Sequence, residues 1–477
     1  MSRRPQPAPS PASQNHFPAP RIKAWLALLV AVYVALACAY SAITPAGGAD
    51  QHNPDENAHL LYVAAVASGH LPVFHAGQAD YEAHQPPLYY ILCAPVYQAA
   101  ADMLGSDSLI SPQAQARRVG AGRLVSVLLG ALLILVTFLC VRECFPENPW
   151  LALGAAAFVA LLPMNIAVCA SVSNDALSDL LVAAALWRLA RLVRRLGQAG
   201  APPAAFVRAC VWLGLSLGAG LWAKTSALLV FPVVAFALYA LARRGLTPPR
   251  IAVRAAGLSL GIGLLVGTPW LLRNQVLYGD PLAQHVFETS FGNTAQASDL
   301  IRYVFGGSIS AYLGGVARWT FASFWGVFDS MRAFWGQDPR GHPPSPAAGL
   351  PAPYDVLALL CVVTLAGLVM RLRRLPRPDA WQEVLLQAFG VLVALTALAH
   401  LRFVLVFFQA QGRYWFPALV PLALFWTLGL SGLAPRPAAL RAVVLLMALG
   451  LIALNVYTLL ALLGPRFAPA TTFLRVY

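Results

Sequence analysis

PPLYYILCAPVYQAAADML, residues 86–104, is the stretch on which the topology turns. It is apolar enough to suggest a membrane crossing. It is also short, opens on Pro-Pro, contains Pro95 and ends near Asp102. Around it lie eleven clearer candidates with the roughly 20 apolar residues that cross a bilayer: 24–44, 119–141, 150–170, 174–193, 204–221, 224–242, 251–271, 353–370, 382–403, 413–430 and 440–463. Short cytoplasmic loops collect Lys and Arg. If 86–104 stays on one side, sixteen short-loop arginines, from Arg142 to Arg441, share the inner face with Arg3, Arg4, Arg21 and Lys23. The opposing short loops then hold only Lys224, Arg402 and Arg413. If it crosses, the sixteen fall outside and the bias vanishes. The stretch therefore reads as an amphipathic helix lying along the outer leaflet. Arg117, Arg118 and Arg123 are left as exceptions at the outer mouth of the second span.

The composition agrees. Of 477 residues 59% are hydrophobic and 11% charged, against about 25% charged in soluble domains. This predicts an all-α polytopic membrane protein. The net charge of +14 fits inside-loop arginines meeting anionic lipid; without a basic polar face, nucleic-acid binding is not expected. Seven cysteines form no CxxC or Cys/His cluster, and six sit in or beside apolar segments as small fillers. Residues 1–23 read as a disordered cytoplasmic tail and 24–44 as a signal anchor rather than a removed signal peptide. Residues 24–477 then form one transmembrane domain with long outer segments at 45–118 and 272–352; loops of that length are usually functional.

The polar signals gather on the outer face: NPDENAHL (53–60), YEAHQPPLYY (81–90), SVSNDALSD (171–179), WAKTS (222–226), RNQVLYGDPL (273–282) and FFQAQGRYWFPAL (407–419). Charge near the membrane is costly and marks function by default, so six clusters on one face suggest one outward cavity. Each also has a plainer reading. Asn53 can be an N-cap, with Pro54 first in the helix and Glu56 as capping-box partner. Asp55 and His59, four apart, share a helix face; with His84 and His52 they are candidate ligands for a divalent metal. Lys224 either snorkels or binds an anion, and Arg413 is either an interfacial anchor or a phosphate clamp. Asn174 and Asp175 either start a helix or line the cavity, as do Arg273 and its following turn. Tyr89, Tyr90, Tyr414 and Trp415 are belt aromatics or sugar contacts. The aromatic run from Trp319 to Phe328 is a surface-packed helix or a cap over the cavity.

Taken in order, the acidic PDE of the first outer loop, HxPPLYY, the arginine-led GRLVSVLLG, NDAL, Lys224-Thr225, LRNQVLYGDPL and QGRYWFPAL resemble the GT-C superfamily of membrane glycosyltransferases over most of the chain. Protein O-mannosyltransferases and lipid A aminoarabinose transferases are the nearest well-understood members. The resemblance implies a GT-C-like bundle, a polyprenyl-phosphate-linked sugar donor, and a lipid, glycan or protein acceptor. It places the site on the outer face of a bacterial cytoplasmic membrane. It implies a catalytic acidic residue at Asp55 with Glu56 as its neighbour; Asp55 is then the general base, and Glu56 a second catalytic residue that orients the acceptor or assists. The place before Pro-Pro, often charged in that family, is Gln85 preceded by His84; Lys224 and Arg413 can supply charge for the donor phosphate instead. Direct displacement implies inversion at the anomeric carbon. The competing reading is a transporter or lipid flippase for a polyprenyl-linked or anionic substrate, whose key charges belong near the midplane. An O-antigen ligase or a scaffold protein are further alternatives.

Overall fold

The computed structural model describes residues 20–46, 52–75, 77, 80–102, 112–198, 203–291, 294–374 and 377–468. The expected tail lies almost wholly outside them. The chain is a helical bundle: α1 (Pro20–Ile43), α2 (Glu56–Ala67), α3 (Leu88–Asp102), α4 (Pro112–Cys144), α5 (Pro149–Leu161), α6 (Pro163–Cys169), α7 (Asp175–Gly197), α8 (Pro203–Ala223), α9 (Val230–Arg243) and α10 (Pro249–Tyr278) come first. The second half holds α11 (Gln284–Ser290), α12 (Ala297–Tyr303), α13 (Ile309–Gly326), α14 (Ala352–Arg373), α15 (Ala380–Val404), α16 (Leu419–Leu433), α17 (Pro437–Tyr457) and α18 (Gly464–Phe467). Between α13 and α14 a small hairpin pairs Val327–Phe328 with Ala333–Phe334.

Among the described residues nine helices are long and apolar enough to cross a membrane, or ten crossings if α5 and α6 count as one. That pair is the expected 150–170 span, bent by 62°. The break falls where Leu162 is extended and Pro163, which has no N–H to continue the ladder, begins α6. The expected 174–193 span is α7. Its 23 residues reach about 34 Å, enough to cross. It carries Asp175 and Asp179 at one end and four arginines at the other, so composition alone does not class it as a crossing. Most of it is buried among its neighbours, which shields those charges from lipid.

The deciding stretch folds as α3, whose 15 residues reach about 22 Å, short of a roughly 30 Å hydrocarbon core. Tyr89, Tyr90, Cys93 and Ala94 are buried, while Ile91, Leu92 and Val96 are exposed: one face is packed on the bundle and one apolar face is free. Arg123, an exception to the charge rule, is 2% exposed and has a partner in the first outer loop. Its role belongs to the site.

Candidate active site

The NPDE motif does not fold as its capping pattern suggests. Helix α2 starts at Glu56, and its N-cap is Asp55, not Asn53. Asp55 is left-handed, at φ 61° and ψ 5°, and makes no side-chain cap bond. The reason is Glu56. Instead of reaching back to Asn53's backbone, its carboxylate is drawn to Arg123, with Nε to Oε1 at 2.8 Å and Nη2 to Oε2 at 2.6 Å. It also accepts from the Val172 N–H at 2.9 Å and from Asn53 Nδ2 at 2.9 Å. Arg123 spends its remaining donors on the carbonyls of Ser41, Thr44 and Pro45, the end of α1. Glu56 is thus a buried tie between α1, α2, α4 and the start of α7. It is not among the cavity's lining residues.

Asp55 faces the other way. Its Oδ1 accepts from the Tyr81 hydroxyl at 2.8 Å and its Oδ2 from Arg413 Nη2 at 2.5 Å. Arg413 is 7% exposed and also reaches Asp175 Oδ2 at 3.3 Å. Asp175 in turn pairs with Lys224 Nζ. Four residues from four distant parts of the chain form one line of alternating charge: Asp55, Arg413, Asp175, Lys224. Burial alone would raise the Asp55 carboxyl, but the Arg413 guanidinium outweighs it and holds Asp55 below the usual carboxylate range. Burial would likewise lower Lys224, and Asp175 more than offsets it, so the ammonium stays charged.

Local backbone places both cations. Lys224 is the single extended residue between α8 and the 3₁₀ turn Thr225–Leu229. Arg413 lies in the 3₁₀ turn Gly412–Ala418. Gly412 packs against the backbone of α13: a Cβ there would meet Phe324 N at 2.1 Å, and the Gly412 N–H donates to Ser323 Oγ at 2.7 Å. The aromatic helix therefore buttresses the arginine. Gly412→Ala is expected to destabilise the protein by about 1–3 kcal/mol, as overpacking does, seen as a lower thermal midpoint in detergent.

The other predicted residues divide. His59, His84 and Tyr414 line the cavity with Asp55, Lys224 and Arg413. His84 is not a cation: its Nδ1–H donates to the Tyr81 carbonyl at 2.7 Å, Gln85 Nε2 lies 3.2 Å from its Nε2, and burial pushes its pKa down to about 4. Tyr89 and Tyr90 are fully buried behind the wall. Tyr89 bonds Ser126 and the Ser173 N–H, and Tyr90 bonds His59 Nδ1 at 2.9 Å. Asn174 is buried against Gln85 and the Ala223 carbonyl. Asp175 sits behind the cations as their anchor. Arg273 lies over Trp270 and donates to the Pro72 carbonyl, so it ties down the first loop outside the cavity.

Two residues were missed. Tyr81 holds Asp55. Glu82 is 6% exposed, lines the cavity, and has His59 Nδ1 at 4.0 Å. Burial raises its carboxyl, partly offset by His59; burial also lowers His59. The signal was an acid two residues before His84 in YEAH, next to a motif already singled out. No group of three or more His, Cys, Asp or Glu among the described residues is arranged to hold a metal ion. The Asp55 oxygens are met by Tyr81 and Arg413, and His59 Nδ1 by Tyr90.

The cavity is open on one side and has a volume of about 910 Å³. Its lining joins Asp55, Arg413 and Lys224 of the ionic line, with Glu82, His84 and Gln411, to apolar residues from Leu228, Leu229 and Pro232 to Phe287, Phe403 and Phe407.

Residues 117–272 match the family model of dolichyl-phosphate-mannose-protein mannosyltransferases. That segment, about a third of the chain, contains Asp175 and Lys224 but neither Asp55 nor Arg413. No curated protein sequence matches significantly. Among solved structures, the Archaeoglobus fulgidus oligosaccharyltransferase AglB in complex with an inhibitory peptide and a dolichol-phosphate is similar at TM-score 0.56 and 13% identity, covering 94% of this chain and 56% of that one. The same enzyme tethered to an acceptor peptide gives 0.55 at 14%, covering 94% and 55%. The chain thus spans just over half the length of these enzymes. Its fold is that of a GT-C-like polytopic membrane protein, similar to the glycosyltransferases that its motifs resemble.

Proposed function

We propose that the chain is an inverting glycosyltransferase on the outer face of a bacterial cytoplasmic membrane. It moves a sugar from a polyprenyl-phosphate donor to a glycolipid, envelope polysaccharide or protein acceptor. The observation that carries this reading is the line Asp55–Arg413–Asp175–Lys224, whose Asp55, Arg413 and Lys224 share one cavity with many apolar side chains. A lipid-linked phosphate needs fixed cations at the membrane surface and an apolar track for its chain. Asp175 fixes both cations from behind. The names of the relatives support the same chemistry: the family model is named for dolichyl-phosphate-mannose, and the archaeal structure carries a dolichol-phosphate.

The acceptor must lose a proton, the anomeric carbon must carry positive charge, and the departing phosphate must be stabilised as its charge grows. Without donor, Arg413 is shared between two carboxylates. When the donor phosphate docks against Lys224 and Arg413, the guanidinium turns part of its charge from Asp55 to the phosphate. The Asp55 carboxylate then becomes more basic beside the acceptor. Attack from the Asp55 side, opposite the leaving phosphate, inverts the anomeric centre.

Glu82 supports a second assignment of the base, because burial raises its carboxyl and, among the described residues, its ion-pair partner is His59 rather than an arginine. Comparing Asp55→Asn with Glu82→Gln separates the two: the larger fall in kcat marks the base.

The test of the function is transfer of labelled sugar from a polyprenyl-phosphate donor by the purified protein in liposomes. Lys224→Ala removes one charge-assisted contact, worth about 1.5–3 kcal/mol. It should raise the KM for donor roughly 10- to 100-fold and leave the KM for acceptor nearly unchanged. Equal rises in both would remove Lys224 from the phosphate. No transfer of any polyprenyl-linked sugar by the wild-type chain would remove the function.

A further inference from the structure

Asp55 is left-handed, and its neighbours explain only one side of that. On the C-terminal side, Glu56 is locked to Arg123. On the N-terminal side the anchor is His52, whose Nδ1–H donates to Asp329 Oδ1 at 2.7 Å. Asp329 lies in the turn of the small hairpin, far along the chain, and is 6% exposed. Its carboxylate also accepts from Arg332 Nη2 at 2.9 Å and from Arg466. The ring of His52 meets Phe467 edge-on at 4.9 Å. One buried carboxylate thereby joins the first outer loop, the second outer loop and α18.

The turn that presents it is strained. Asp329, Ser330 and Met331 all have positive φ, at 52°, 49° and 68°. The left-handed conformation costs an L-residue about 1–2 kcal/mol each, and three in a row persist only where surroundings over-determine them. Nothing in the ionic line of the cavity requires this turn. What it does is aim the Asp329 carboxylate at His52, three residues before Asp55.

We propose that Asp329 and His52 are positioning residues for Asp55. The pair clamps one flank of the NPDE turn as Glu56–Arg123 clamps the other, and together they keep the Asp55 carboxylate turned into the cavity. This rests on the glycosyltransferase reading only for its kinetic arm. A misplacement of about 1 Å in a reacting group costs on the order of 10²-fold in rate, so the clamp acts on kcat and leaves donor affinity, set by Arg413 and Lys224, almost untouched.

The test uses two variants of the full chain. His52→Ala cuts the link and leaves Asp329 with both arginines. Asp329→Gly removes the carboxylate while suiting the positive φ, so misfolding from strain is avoided. Each should lower kcat for sugar transfer by about 10- to 100-fold with KM for donor within twofold. Each should also speed amide hydrogen exchange over residues 52–60 at least tenfold relative to α4. Asp329→Asn, which keeps an acceptor for His52, should recover most of kcat. Unchanged kcat with unchanged exchange overturns the proposal. So does a loss of kcat that tracks a global fall in thermal midpoint, or one Asp329→Asn does not rescue. If the wild-type chain transfers no sugar, the functional reading fails on its own, and the exchange result alone decides the clamp: faster exchange upholds it, unchanged exchange overturns it.

Discussion

Replacing Asp55 with asparagine lowers the rate of sugar transfer by about 10²- to 10⁴-fold, the contribution of a general base, while abundance and thermal midpoint hold. The substitution is a clean one. Asparagine tolerates the left-handed backbone at φ 61°, and its side-chain oxygen can still accept from Tyr81 or Arg413. Arg413 keeps Asp175 as a counter-charge, so no cation is stranded. What is lost is the carboxylate proposed to accept the acceptor's proton. The check is single-turnover transfer with saturating donor, which separates chemistry from binding. A rate within tenfold of wild type would take the base role from Asp55 and pass it to Glu82.

Glu56→Ala should destabilise the protein by about 3–5 kcal/mol, the usual effect of removing one partner from a buried ion pair. The size follows from what is left behind. Arg123 is 2% exposed, and its two bonds to Glu56 have no solvent to replace them. The Val172 N–H also loses its acceptor. Arg123→Ala should cost a similar amount, and the double variant less than the sum, because neither charge is then stranded. Unfolding in mixed detergent, followed by tryptophan fluorescence, measures all three. Near-neutral stability for Glu56→Ala, together with lost turnover, would return Glu56 to the catalytic role the motif first suggested.

The contrast between these neighbours marks where sequence reading stops. Adjacent acids in PDE look equivalent in one dimension. Their fates differ because Arg123, from α4, claims Glu56 and turns Asp55 out of the helix. Hydropathy located ten of the eleven expected crossing segments, since apolar runs of span length need no knowledge of partners; α7 carries too many charges to qualify by composition. Charge parity kept 86–104 from being a span, and α3 is too short to be one. The gathering of Asp55, Lys224, Asp175 and Arg413 was legible as a shared face of the bundle. Which of them touch was not: the pairing of Lys224 with Asp175 depends on how α7 and α8 meet. Tyr89, Tyr90 and Asn174, read from sequence as candidate lining residues, are buried outside the cavity's lining, because an aromatic or amide in a motif does not reveal which helix face is buried. Pro163 was visible, but the 62° bend it accompanies was not.

The most direct test is binding rather than turnover. The central claim is that Arg413 and Lys224 hold a lipid phosphate beside Asp55. Polyprenyl monophosphate and the matching polyprenol are titrated into the purified protein in nanodiscs. The account predicts saturable binding of the phosphate, at least tenfold weaker binding of the alcohol, and loss of that difference in Arg413→Gln and in Lys224→Ala. Equal binding of phosphate and alcohol by the wild-type chain, or a difference that survives both substitutions, would contradict it.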